Sequence, residues 1–143
     1  MIQLVILIQA ASTWAMVGLI WFVQVVHYPL MGQVGAEYFQ DYELKHQQLT
    51  TWVVAPLMLL VIGTAFWLCY ARPATLAPWI AYTGAALLLV IWASTFLVQV
   101  PTHEALSAQF SSEQHALLVK TNWLRTVAWS ARGVLVLMML SAR

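Results

Sequence analysis

Apolar residues fill four long stretches of this chain, and the charged residues fall almost entirely between them. The first charged side chain is Glu37; none lies between Lys45 and Arg72, and none between Arg72 and Glu104. Each gap holds the run of about 20 apolar residues that a helix needs to cross the hydrocarbon core of a bilayer. The pattern predicts spans near 3–26, 52–70, 79–100 and 122–141, the last carrying Arg125 and Arg132. The expected fold is all-α: an integral membrane four-helix bundle. It is one domain over residues 1–143, built as two tandem helical hairpins with helical extensions on one face.

Composition points the same way. The chain is 62% hydrophobic and 8% charged, whereas a soluble domain carries about 25% charged residues and needs them to cover its surface. The first span has no Lys or Arg ahead of it and is too long for the apolar core of a signal peptide, so it is expected to stay as a span. Cys69 is the only cysteine; it excludes an internal disulfide and reads as a packed thiol. A net charge of +1 with no basic tract excludes nucleic acid as a partner.

The two halves share short motifs. Val23-Gln24-Val25 closes the first span and Val98-Gln99-Val100 the third, each followed by a histidine, His27 and His103. Thr50-Thr51-Trp52 opens the second span and Thr121-Asn122-Trp123 the fourth. A parallel repeat of this kind places a pseudo-two-fold along the membrane normal and puts both long connections on one side. Tyr38, Tyr42 and His46 form one helical stripe in the first connection, and Ser111-Ser112-Glu113-Gln114 has the form of a capping box in the second. Pro56 is expected to kink the second span, and Pro101 to end or bend the third. All five acidic residues and all four histidines fall on this face. The other face holds only Arg72 and Arg143 among the charges, and this balance leans toward both termini in the cytoplasm of a bacterial inner membrane.

The candidate chemistry gathers at the same depth. On the fourth span His115, Asn122 and Trp129 recur every seven residues with Leu118, Arg125 and Arg132 beside them, which makes one polar face. An arginine in a span costs a few kcal/mol and calls for a partner, a wet cavity or the headgroups. Arg125 is shallow enough to snorkel; Arg132 lies about 10 Å deeper and calls for a buried partner. Trp129 stands one turn from both and is placed to stack on either. Gln24 and His27 on the first span, and Gln99 and His103 on the third, complete a polar pocket. In it His27 and His103 are the candidate catalytic pair, and Gln24, Gln99, Asn122, Arg125, Trp129 and Arg132 are the substrate-binding candidates. Gln24 and Gln99 have a plainer role open to them, tying helices together by hydrogen bonds. His27, His46, His103 and His115 are also metal candidates, since imidazole suits Zn, Cu and Fe. Haem, a metal or no cofactor at all stay open.

Pro101-Thr102-His103-Glu104-Ala105-Leu106 at the end of the third span, with Leu118, Trp123 and Arg132 in the fourth, resembles the pattern of a family of small four-helix membrane proteins. That family includes fungal and bacterial anthrone oxygenases. Gly18 and His27-Tyr28-Pro29 match its first half more loosely. The resemblance implies the four-helix membrane fold; most members of such families have no assigned activity.

The expected function is to bind, and to oxidise, a small lipophilic anthrone- or quinol-like molecule in the intramembrane pocket. The rival expectation is an accessory subunit of a larger membrane complex, with no catalysis of its own. The expected partners are the bilayer, the small molecule, and either further copies of the chain or other subunits.

If both connections share one side, single cysteines at Gln40 and Gln109 in a Cys69→Ala background react alike with an impermeant thiol reagent. Opposite accessibility in sealed vesicles rejects the four-span topology.

Overall fold

The computed structural model describes residues 1–141. Four helices, α1 (Ile2–Met31), α2 (Ala36–Tyr70), α3 (Pro78–Ala108) and α4 (Ser112–Ser141), are each long and apolar enough to cross a membrane. They pack up-down-up-down, α1 between α2 and α4, and α3 between α4 and α2. The architecture is that of an integral membrane protein, in which backbone polar groups are satisfied inside each helix.

Each helix outruns its apolar stretch. α2 has 35 residues, a length of about 50 Å at 1.5 Å per residue against a hydrocarbon core of about 30 Å. The long connections of the sequence are therefore mostly helix, with only residues 32–35 and 109–111 as turns. Ser111 Oγ accepts from the Gln114 amide at 3.4 Å, so the cap marks the start of α4 as its spacing predicts.

The prolines behave in two ways. α2 runs on through Pro56 as one continuous helix. Pro101 does not end α3: the helix passes through a π-helical turn at Thr95–Gln99 and resumes over Val100–Ala108. α1 does the same, with a π turn at Val23–His27 followed by Tyr28-Pro29. A proline ring clashes with the carbonyl four residues back and leaves it without a donor. A π turn inserted just before the ring widens the helix there and lets it continue. The repeated motifs of the two halves thus become the same irregularity in α1 and α3.

Apolar packing is layered along the bundle axis. Ile6, Leu68, Leu76, Ile80, Leu135 and Met139 fill the end near the α2–α3 turn. Met16, Ile20, Val61, Leu88, Ile91 and Trp129 fill the middle. Tyr28, Met31, Phe39, Leu106 and Leu118 fill the end that carries the two other turns. Many large apolar side chains point outward, Leu59, Phe66, Leu97 and Val127 among them, as a lipid-facing surface requires.

α1 and α4 approach closely. A Cβ on Gly133 would stand 3.3 Å from the Trp14 ring and 3.4 Å from Val17, whereas Gly63 on α2 has open space around it. Gly133→Leu is therefore expected to overpack this seam and destabilise the protein in detergent by about 1–3 kcal/mol. Gly63→Ala should be neutral or stabilising by up to about 1 kcal/mol through helix propensity. Thermal unfolding of both variants beside the parent checks the contrast, and equal midpoints for all three would refute it.

Candidate functional site

α2 and α3 meet most intimately where they project beyond the apolar core. Phe39 and Glu43 are both fully buried, one turn apart on α2, and the inward stripe therefore runs one position over from Tyr38 and Tyr42. Glu43 Oε1 and His103 Nδ1 lie 2.5 Å apart, and Gln47 Nε2 donates to the same carboxyl oxygen at 3.2 Å. Gln47 also donates to the His103 carbonyl at 3.2 Å. The other nitrogen of His103, Nε2, lies 3.2 Å from the Tyr28 hydroxyl on α1. With the carboxylate as acceptor, Nδ1 carries the hydrogen and Nε2 of the neutral ring accepts from the phenol. This is the carboxylate–imidazole–hydroxyl order that orients a base.

Imidazoles crowd around this dyad. His27 stacks on His46 with ring centroids 4.3 Å apart, and His46 lies 5.4 Å from His103. His46 Nδ1 pairs with Thr50 Oγ1 at 3.1 Å. His27 Nε2 is buried with no hydrogen-bond partner among the described residues. Stacked imidazoles present ring faces to each other, while their lone pairs lie in the ring plane. No three His, Cys, Asp or Glu side chains among the described residues are grouped so as to hold a metal ion. His115, the fourth histidine, is occupied elsewhere. Its Nε2 faces the Tyr28 carbonyl at 2.8 Å, and its ring fills the space where a Cβ on Gly32 would be.

Next to the dyad lies a cavity of about 330 Å³. Its wall is mainly apolar, from Ile20, Val23, Val54, Met58 and Phe96, among others. Polar groups enter it from every helix: Tyr28 from α1, His46, Gln47 and Thr50 from α2, Gln99 and His103 from α3, and Arg125 from α4. Thr51, Phe96 and Val100 belong to its wall and are also exposed on the outside of the bundle, so the cavity opens between α2 and α3.

Three of the eight pocket residues expected from sequence, Gln99, His103 and Arg125, line this cavity. His27 stands outside it, joined to His103 through the His46 ring. Gln24 is committed to α4: it accepts from Asn122 Nδ2 at 2.8 Å and donates to the Val119 carbonyl at 3.2 Å. Gln99 also reaches α4, donating to Thr121 Oγ1 at 2.8 Å while its oxygen faces the Tyr28 hydroxyl at 3.4 Å. Trp129 packs in the apolar middle layer, and no stacking of a guanidinium on it occurs among the described residues. Arg132 is buried deeper, where it donates to the Gly84 carbonyl. The Gln9 side-chain oxygen, in the amide orientation that satisfies its neighbours, faces Arg132 Nη2. Arg125 does not snorkel: it is 9% exposed, with Nη1 donating to Asn122 Oδ1 at 3.2 Å.

Glu43, Gln47 and Tyr28, which build the site around His103, are absent from the expectation drawn from sequence. Glu43 lies four residues after Phe39 and four before Gln47, an i, i+4 stripe that signals one inward face. Tyr28 stands directly before Pro29 and carried no signal of its own.

No protein-family model, curated protein or solved structure matches this chain.

The Glu43–His103 contact generates a test. In a double-mutant cycle of Glu43→Gln and His103→Ala, the two changes should be non-additive in stability by about 0.5–3 kcal/mol. Additive losses would mean that the two side chains do not act on each other.

Proposed function

We propose that this protein binds a small lipophilic phenol or ketone, anthrone- or quinol-like, in the cavity among the four helices, and promotes its oxidation. The observation that carries this reading is the cavity: about 330 Å³, at the small end of the roughly 300–1,000 Å³ typical of small-molecule sites. Its apolar wall suits a ring system, its opening between α2 and α3 gives access from the lipid, and His103 with Glu43 behind it supplies a base at its edge. The resemblance to anthrone oxygenase-like proteins supports the same reading. The setting proposed is a bacterial inner membrane with both termini cytoplasmic.

In this scheme His103, oriented by Glu43, accepts a proton from the substrate through the Tyr28 hydroxyl. The carbanion or phenolate formed is then oxidised by dioxygen. For an anthrone, the ring CH₂ becomes a carbonyl, one oxygen atom entering the product and the other leaving as water.

Anthrone added to the purified protein in neutral detergent should raise its unfolding temperature and be converted aerobically to the quinone. A positioned base contributes about 10²–10⁴-fold, so His103→Ala should lower the rate by about 100-fold or more while anthrone still raises the unfolding temperature. Binding without turnover would confine the function to binding. Neither binding nor turnover would favour the accessory-subunit role.

A further inference from the structure

Arg125 and Arg132 occupy the same face of α4 two turns apart, and both are buried. Their surroundings differ. Arg132 is enclosed by acceptors that the protein supplies, the Gly84 carbonyl and the Gln9 amide. Arg125 lines the cavity. Apart from Asn122, the polar group beside it is the Tyr28 phenol; its Nε, like that of Arg132, has no partner among the described residues, so what distinguishes Arg125 is the open space beside it. The one carboxylate in an ion pair among the described residues, Glu43, is engaged by His103 and by Gln47. Trp92 also lines the cavity, and its indole Nε1 is a second buried donor without a partner among the described residues.

A guanidinium held in an apolar bundle with only neutral acceptors is costly, and the attraction of an anion is strongest where water is excluded. The cavity supplies the space for that anion next to the charge. We propose that Arg125 anchors an anionic oxygen, so that the cavity takes a lipophilic monoanion, a carboxylate or a phenolate. The charged end lies at Arg125, with the Trp92 indole N–H as second donor, and the apolar body extends toward the α2–α3 opening. The fork of the guanidinium matches a carboxylate in two parallel hydrogen bonds. A cavity of about 330 Å³ admits a small acid whole; a membrane lipid would enter it with its anionic headgroup alone. This assignment rests on the cavity being a ligand site and specifies the charge of what it takes.

The test compares 2-naphthoate with its neutral isostere 2-naphthamide by calorimetric titration of the purified protein in neutral detergent. Charge-assisted hydrogen bonds exceed neutral ones by enough to predict that the acid binds about tenfold tighter or more. Because the pair is buried, the preference should persist at high salt, where surface attraction is screened. Arg125→Lys should keep part of the preference and Arg125→Gln should abolish it. If the glutamine variant fails to fold, the parent and lysine proteins still decide the matter.

Ala55→Trp, which fills the cavity, should remove both ligands. Equal affinity for acid and amide, both lost in Ala55→Trp, would overturn the anion assignment and leave the cavity as a ligand site. Binding of neither would overturn both. Repeating the titration in phosphatidylcholine nanodiscs with and without phosphatidylglycerol separates the sources of the anion. Competition by the anionic lipid identifies a headgroup, and its absence a free acid; either result retains Arg125 as the anchor.

Discussion

Burying two guanidinium groups in an apolar bundle is the constraint around which the rest of this molecule is arranged. Neither group reaches a carboxylate among the described residues, so each depends on neutral acceptors brought in by other helices. Arg132 takes the Gly84 carbonyl from α3 and the Gln9 amide from α1. Gln9 is held in turn by Thr64 and the Val61 carbonyl of α2. One polar node thus joins all four helices in a layer otherwise held by dispersion alone. Helices in lipid gain little from burying apolar surface against each other, and such hydrogen bonds are part of what specifies their packing.

The prolines set the level of the second node. Pro29 and Pro101 each follow a π turn, and the glutamine of each turn points at α4. Gln24 grips Asn122 and the Val119 carbonyl; Gln99 grips Thr121. Above them α1 and α3 continue as helix, which carries Tyr28 and His103 to the height of Glu43 on α2. The dyad exists because neither proline stops its helix.

Much of the fold was legible in the sequence. Charge-free runs marked three of the four helices and a long apolar run interrupted by Arg125 and Arg132 the last, the even number of spans set the side of the turns, and the Ser111 cap marked the start of α4. The buried depth of Arg132 was also legible, from its position in the fourth span. The site was legible only in part. Periodicity shows which residues share a face of one helix, but not which face of the next helix they meet. Gln24 and Asn122 therefore satisfy each other, while Gln99, His103 and Arg125 border open space. Glu43 escaped notice because a carboxylate in a charged connection reads as solvated, and its burial depends on Phe39 and on the arrival of His103 from α3. The π turns carry no sequence signature beyond the proline that follows them.

The two seams can be compared through the motifs that the two halves share. Matching Val23-Gln24-Val25 to Val98-Gln99-Val100 and Thr50-Thr51-Trp52 to Thr121-Asn122-Trp123 pairs α1 with α3 and α2 with α4, and sets the α1–α4 seam beside the α2–α3 seam. The α1–α4 seam is closed at three levels: Gly133 admits Trp14, Trp21 Nε1 donates to Ser130 Oγ at 3.0 Å, and Gln24 bonds Asn122. In the other seam the corresponding glutamine, Gln99, turns to α4 rather than to α2. Thr51 stands in the place of Asn122 and remains exposed. Among the described residues no side-chain hydrogen bond crosses this seam between the Gln47–His103 contact and the Cys69 Sγ–Ala81 carbonyl contact at 3.7 Å near the α2–α3 turn, and the cavity opens between these two levels. Closing one seam and not the other leaves the bundle with a side entrance between α2 and α3, and His46, His103, Tyr28 and Arg125 all line the cavity behind it.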